Sequence, residues 1–238
     1  MMRQILFLLF ATLATAKLGA QDPIFSQFYS TPVQINPAFT GTTFAPRISA
    51  IYRMQWLSVE QEYGAAYSTF AAAYEQFIPA FNSGIGFHLQ ADNSGDGIIK
   101  TTQFGADYAY RVAVNDEFFF KLGVEAGFRQ STLDWDRLVF LDQLDPVTGE
   151  VDQNGNPNPT NEVRPEELSK TFFDVGAGLL AYGGKFYGGI ALHHLTTPDE
   201  GFLKENSSLT EGLPLRVSVH GGAQFIVKEG NKRQPASF

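Results

Sequence analysis

The chain has 238 residues, no cysteine and a formal net charge of −8, so no disulfide braces it and nucleic acid is a poor partner for it. Aromatic residues make up 14% and glycines number 23, a balance that suits strands better than helices. Beyond residue 20 no apolar stretch approaches the length of a transmembrane helix, which leaves one large β domain or two small ones.

Arg3 precedes an apolar run, Ile5 to Leu13, and small residues follow up to Ala20. This is the pattern of a secretory signal peptide, too short to span a bilayer, with cleavage expected after Ala20 and Ala14-Thr15-Ala16 as a second cut. Residues 1–20 are therefore read as a signal. No cysteine follows the run, so lipid attachment at the new N-terminus is excluded. Residues 21–44 come next as an N-terminal periplasmic or plug-like segment. Its Phe25, Phe28, Tyr29 and Phe39 are punctuated by Pro and Asn and follow neither a helical nor an alternating period. These aromatics are expected to pack against the periplasmic mouth or inside a lumen, presenting a docking surface for a periplasmic partner. A plain lead-in turn is the alternative.

From residue 45 to 238 the dominant signal is a period of two. Over 47–57, Ile48, Ala50, Tyr52, Met54 and Trp56 oppose Arg47, Ser49, Arg53 and Gln55. The split recurs over 84–92 (Ile85, Phe87 and Leu89 against His88, Gln90 and Asp92) and over 101–114 (Phe104, Tyr108 and Tyr110 against Gln103, Asp107 and Arg111). It returns over 118–129, where Phe120, Leu122, Val124 and Phe128 oppose Lys121, Glu125 and Arg129. It is weaker over 171–182, where glycines share a face with Asp174, and clear again over 215–228, where Arg216, His220, Gln224 and Lys228 are the polar set. Two further strands, 63–78 and 186–197, are less clean, and the register of the first is not fixed by its pattern. A ninth begins near Arg233.

These strands run to roughly a dozen residues, about 40 Å at ~3.3 Å per residue, long enough to cross a bilayer when tilted. Soluble sandwich strands are about half that. Short connections at 79–83, 115–117, 183–185 and 229–232 alternate with longer ones at 93–99, 131–170 and 198–213, as periplasmic turns alternate with extracellular loops; the connection near 58–62 is too short to vote. In lipid every backbone polar group needs an internal partner, so such strands must close into a barrel. The fold class expected is all-β: a transmembrane antiparallel up-and-down barrel with eight complete strands and a ninth begun.

The inward face would then carry Arg53, Asp107, Arg111, Glu125, Arg129, Asp174 and Arg216 as a lumen network that fills the interior or lines a pathway, with water sharing the space. His193 and His194 are adjacent on a strand and should point to opposite faces, so they cannot converge on one metal ion. Ser218 and His220 lack a G-x-S-x-G elbow and a suitably placed acid, so hydrolase chemistry is weak. The acidic stretch 142–167, rich in Asn, Pro and Gly, reads as a mobile outer loop and a candidate partner contact. Asp152-Gln153-Asn154-Gly155-Asn156 looks like the opening of a calcium loop, but Val163 stands where the twelfth-position Glu belongs. No catalytic, metal or cofactor site is expected.

Gln21-Asp22-Pro23-Ile24-Phe25-Ser26-Gln27-Phe28-Tyr29, Pro32, Asn36-Pro37-Ala38 and Thr40-Gly41 resemble the start of the PorP/SprF family. The likeness continues through Arg47, Tyr52-Arg53, Gln55-Trp56, Leu133-Asp134-Trp135, Phe140 and Asp142-Gln143, then Gly188-Gly189, His194-Leu195-Thr196, Pro198 and Leu213-Pro214. The resemblance implies an outer-membrane barrel of the Bacteroidetes type IX secretion system, which also serves gliding motility. It further implies periplasmic and lipoprotein partners, a large secreted adhesin as client, and no enzymatic activity. Asp22, Pro23, Phe25, Phe28, Tyr29, Asn36 and Pro37 become the family-motif residues and docking candidates. Family chains continue for several more strands, so a C-terminally incomplete member is expected, with a complete eight-stranded barrel as the alternative. A passive pore or small-solute transporter is the rival function.

Overall fold

The computed structural model describes residues 22, 23, 25–56, 67–152, 154–202, 212–223 and 225. The expected signal peptide, the connection near 58–62 and the ninth strand near Arg233 lie outside the described residues. Eight strands follow one another: β1 Arg47–Gln55, β2 Tyr67–Ile78, β3 Ser83–Ser94, β4 Ile99–Ala113, β5 Phe118–Leu133, β6 Ser169–Gly183, β7 Phe186–His193 and β8 Arg216–Ala223. Each pairs antiparallel with the next, in sequence order, and the sheet curls into a half-barrel. Among the described residues no helix is long and apolar enough to cross a membrane.

The alternation read from sequence is the alternation of the sheet, and its polarity is inverted relative to a water-soluble core. Tyr52, Tyr108 and Val124 are 60%, 46% and 53% exposed, whereas Asp107, Glu125 and Lys121 are 4%, 5% and 0% exposed. An apolar outer face with charges buried behind it is stable only where the surroundings are themselves apolar. Val124→Arg should therefore cost about 2–4 kcal/mol near a bilayer midplane, read from urea titration of protein folded into lipid vesicles; an unchanged midpoint would place that face in water.

Several boundaries differ from those expected. β5 and β6 both extend further, so the long connection is 134–168 rather than 131–170. β2 settles the register that its mixed aromatics hid: Phe70 and Tyr74 point outward, opposite buried Thr69, Ala71, Ala73, Glu75 and Phe77.

The concave face is covered by the chain's own start. A 3-10 turn at Phe28–Ser30, a single helical turn α1 at Pro32–Ile35 and a second 3-10 turn at Pro37–Phe39 lie in the trough, against β3, β4, β5 and β6. Pro32 and Pro37 each open a turn, where a missing N–H costs nothing. Asn36 caps the second turn by accepting from Ala38 N at 2.8 Å. Gly41 ends the segment at φ +64°, and a β-carbon there would lie 2.6 Å from Gly84 Cα, so both backbone shape and space demand glycine.

Candidate functional site

The inner face is small where the segment lies and charged where it does not. A β-carbon on Gly84 would fall 2.0 Å from Thr40 O, on Gly123 2.2 Å from Ala38 N, and on Gly178 1.9 Å from Asn36 Oδ1. These inward positions on β3, β5 and β6 form a track into which the backbone of 36–41 sinks. Glycines also receive rings: Gly105 makes room for His88 and Gly189 for His220.

Polar side chains then pin the segment. Asn36 Nδ2 donates to Leu179 O and Ile190 O at 3.1 and 3.2 Å, reaching carbonyls of β6 and β7 together. Lys121 Nζ donates to Thr40 O at 2.6 Å, and Gly41 N donates to Glu75 Oε2 at 2.7 Å. Glu75 also accepts from Arg47 Nε at 2.6 Å. Lys121, fully buried, thus spends its charge on a main-chain carbonyl with Glu75 nearby, an arrangement that makes sense only with the segment in place.

Toward the end of the sheet from which the long connections emerge, Asp22 is the hub. Arg129 Nη1 donates to it at 2.7 Å, His194 Nε2 lies 2.8 Å away, and Arg216 Nη1 makes a third contact. His194 Nδ1 meets Asp174 at 2.6 Å, and Arg129 Nε approaches Glu200 at 3.3 Å. A second cluster sits mid-sheet. His88 Nδ1 meets Asp107 at 2.8 Å, and Glu125 lies 3.4 Å from His88 and 3.2 Å from His193. His193 Nε2 faces Ile35 O at 3.1 Å. Opposite charges packed this closely in a low-dielectric interior hold their partners in one arrangement.

Four expected members of the lumen network, Asp107, Glu125, Arg129 and Asp174, are buried in these clusters, and Arg216 joins them through Asp22. Arg53 lies on the inward face of β1. Arg111 does not join; it sits at the short-turn end over Phe77, Phe119 and Phe44, at 4.6, 5.3 and 5.8 Å from the ring centroids. Its cation is met by ring faces instead of carboxylates.

His193 and His194 do not face opposite sides of the sheet, as strand alternation led one to expect. β7 stops at His193, and His194 turns at φ +60°, bringing its ring back inside; both imidazoles are buried, 6.5 Å apart. Each faces carboxylates or a carbonyl, and among the described residues no three carboxylates or imidazoles are grouped to hold a metal ion.

Among the docking candidates, Phe25, Asn36 and Pro37 are buried, Asp22 is bound within the protein's own interior and Pro23 is half-buried, whereas Phe28 and Tyr29 are 53% and 68% exposed. Residues absent from the expected set include His88, His193, His194, His220, Lys121 and Glu75. Parity marks His88, Lys121 and His220 as inward; nothing local shows what they meet.

The long connection is not structureless. Trp135–Arg137 and Leu141–Gln143 form 3-10 turns, and Asp145 pairs with Gly149 and Val151 with Pro157 in β-bridges. Asp142 accepts from Asn161 N at 2.7 Å and from Thr160 Oγ1, and Arg164 pairs with Asp136 at 2.8 Å. Asp152, proposed to open a calcium loop, accepts from the main-chain N–H groups of Asn154 and Asn156. Main-chain N–H donors, from Asn161, Thr148 and Asn156 respectively, lower the carboxyl pKa values of Asp142, Asp145 and Asp152 below the usual range.

A family model described as "Type IX secretion system membrane protein PorP/SprF" matches residues 17–236. No curated protein and no solved structure matches the chain.

Proposed function

The chain belongs to the PorP/SprF family of type IX secretion system membrane proteins, and from that premise we propose that it is an outer-membrane component of the machine whose lumen is sealed by its own N-terminal segment. Its role is structural: it supports export or surface attachment of a secreted adhesin, in gliding bacteria of the Bacteroidetes, and works with periplasmic and lipoprotein components. A cleaved signal peptide over residues 1–20 brings it there. The short-turn end faces the periplasm and the 134–168 connection faces outward.

The observation that carries this reading is the seated segment. A passive pore keeps a water-filled channel, whereas here glycines on three strands admit 36–41 so closely that a methyl group would not fit between. The non-enzymatic reading has its own support. His220, two residues from Ser218 on the same face of β8, has Nε2 turned to Asn36 at 2.9 Å.

Deleting residues 22–40 tests the seal. In planar bilayers the intact protein should show no steady conductance and the deletion should conduct; the same deletion in cells should reduce secretion of the client while the barrel still inserts. Steady wide conductance from the intact chain would favour the rival pore.

A further inference from the structure

The segment does not fill the whole trough. Between its Phe25–Ile35 stretch and the inner faces of β7 and β8 runs a cavity of about 500 Å³, bounded by Tyr187 and Gly221 at one end and by His193, His194 and Arg216 at the other. Tyr187 and His193 are six residues apart on one strand, so the cavity is roughly 20 Å long at ~3.3 Å per residue. All four histidines of the chain line it.

Three buried donors among its lining residues have no acceptor among the described residues: Gln34 Nε2, Arg216 Nε and His220 Nδ1. The third follows from hydrogen bookkeeping. Asn36 Oδ1 accepts from Ala38 N, so the end facing His220 at 2.9 Å is the Nδ2 amide, which can only donate and shares its two hydrogens among Leu179 O, Ile190 O and His220. His220 Nε2 is then the acceptor, and Nδ1 carries the proton. Arg216 already gives Nη1 to Asp22 and Nη2 to Gln34 O, leaving Nε–H. A buried donor left unmatched is destabilising, because the water it gave up on burial is not replaced. The remaining buried acceptor on the wall, Glu125 Oε2, is ion-paired with His193.

The spacing of these donors selects the occupant. Arg216, Ser218 and His220 alternate down the inner face of β8, so Arg216 and His220 lie about 13 Å apart. An acyl chain offers acceptors at its head alone. An extended polypeptide presents carbonyls on one side every two residues, about 6.6 Å, and so meets both donors in register. Phe25, Phe28 and Ile35 form the opposite, apolar wall, suited to its aliphatic side chains.

We propose that this groove binds an extended, unfolded stretch of polypeptide lying along the inner face of β8, with its main-chain carbonyls accepting from Arg216, His220 and Gln34. The site needs only the groove and is independent of which client the machine exports.

The test uses the full chain purified in detergent and a fluorescein-labelled peptide, Ac-Gly-Leu-Gly-Leu-Gly-Leu-NH2, followed by anisotropy. Binding should saturate. Arg216→Lys, which keeps the charge toward Asp22 but lacks Nε–H, should weaken it about 10-fold, as should Gln34→Leu, which leaves the Gln34 carbonyl in place. Sodium decanoate should not compete. Should Arg216→Lys fail to fold, Gln34→Leu decides alone. Peptide binding that does not saturate, or is equal in the foldable variants, overturns the proposal. So does decanoate binding with the same dependence on Gln34, which would make the groove an acyl-chain site.

Discussion

Gly123→Ala is expected to unseat the N-terminal segment and to destabilise the protein by about 3–5 kcal/mol. The added methyl would lie 2.2 Å from Ala38 N, 2.4 Å from Pro37 C and 2.5 Å from Ala38 Cα, all backbone atoms that cannot swing aside. Overpacking of this kind costs about 1–3 kcal/mol. If the segment lifts to relieve it, Asn36 leaves Leu179 and Ile190 and Lys121 loses Thr40, each buried loss adding about 1–3 kcal/mol. The chain has no cysteine, so a single Phe25→Cys, at a site 5% exposed, reports seating by maleimide labelling. Labelling should be slow in the parent and fast with Gly123→Ala, while urea unfolding gives the stability. Gly188→Ala is the control, because its methyl would meet nothing nearer than His220 O at 3.9 Å. Equal labelling in Gly123→Ala and Gly188→Ala would mean that the segment is not seated on β5.

The same glycines show what could and could not be read from sequence. Outside β2, whose aromatics on both faces hid its register, alternation was enough to give the strands, their order as a meander and the side most residues face, because a two-residue period depends on the strand alone. Over 171–182 the glycines beside Asp174 weaken that pattern, yet Gly178 is weak as a strand former for the reason it matters: it holds space for Asn36. Which inward residue meets which depends on register between strands and on a segment arriving from more than a hundred residues away, as with Asp22 and Arg129. Arg111 illustrates the limit. Its parity is that of Asp107, but it lies four residues nearer the short turn, where the neighbours are Phe77 and Phe119. His194 fails differently: the strand ends one residue before it, and one left-handed residue reverses the direction that alternation assigns. The Asp22–Pro23 and Asn36–Pro37 pairs stood out as family-motif residues, but no local pattern distinguishes a segment that docks a partner from one that docks its own barrel.

Asp22→Leu is the second large effect, confined to the leading end of the segment. It removes one carboxylate from Arg129, His194 and Arg216 at once. Breaking a buried ion pair by deleting one partner costs about 3–5 kcal/mol. The lower end applies here, because Arg129 keeps Glu200, His194 keeps Asp174 and Arg216 keeps Gln34 O. A loss of about 3 kcal/mol raises the open population of this end roughly 100-fold, so Phe25→Cys labelling should accelerate by that factor while the urea midpoint moves little. Asp22→Asn keeps an acceptor oxygen and should fall between. The cluster is buried, so raising salt from 0.1 to 1 M should not mimic the substitution, since screening acts mainly on exposed charges. Salt-driven labelling of the parent, or an Asp22→Leu variant that labels at the parental rate, would show that Asp22 does not hold the segment. In that event the seat is made by the glycine track and Asn36 alone, and the clustered charges brace the strands rather than the plug.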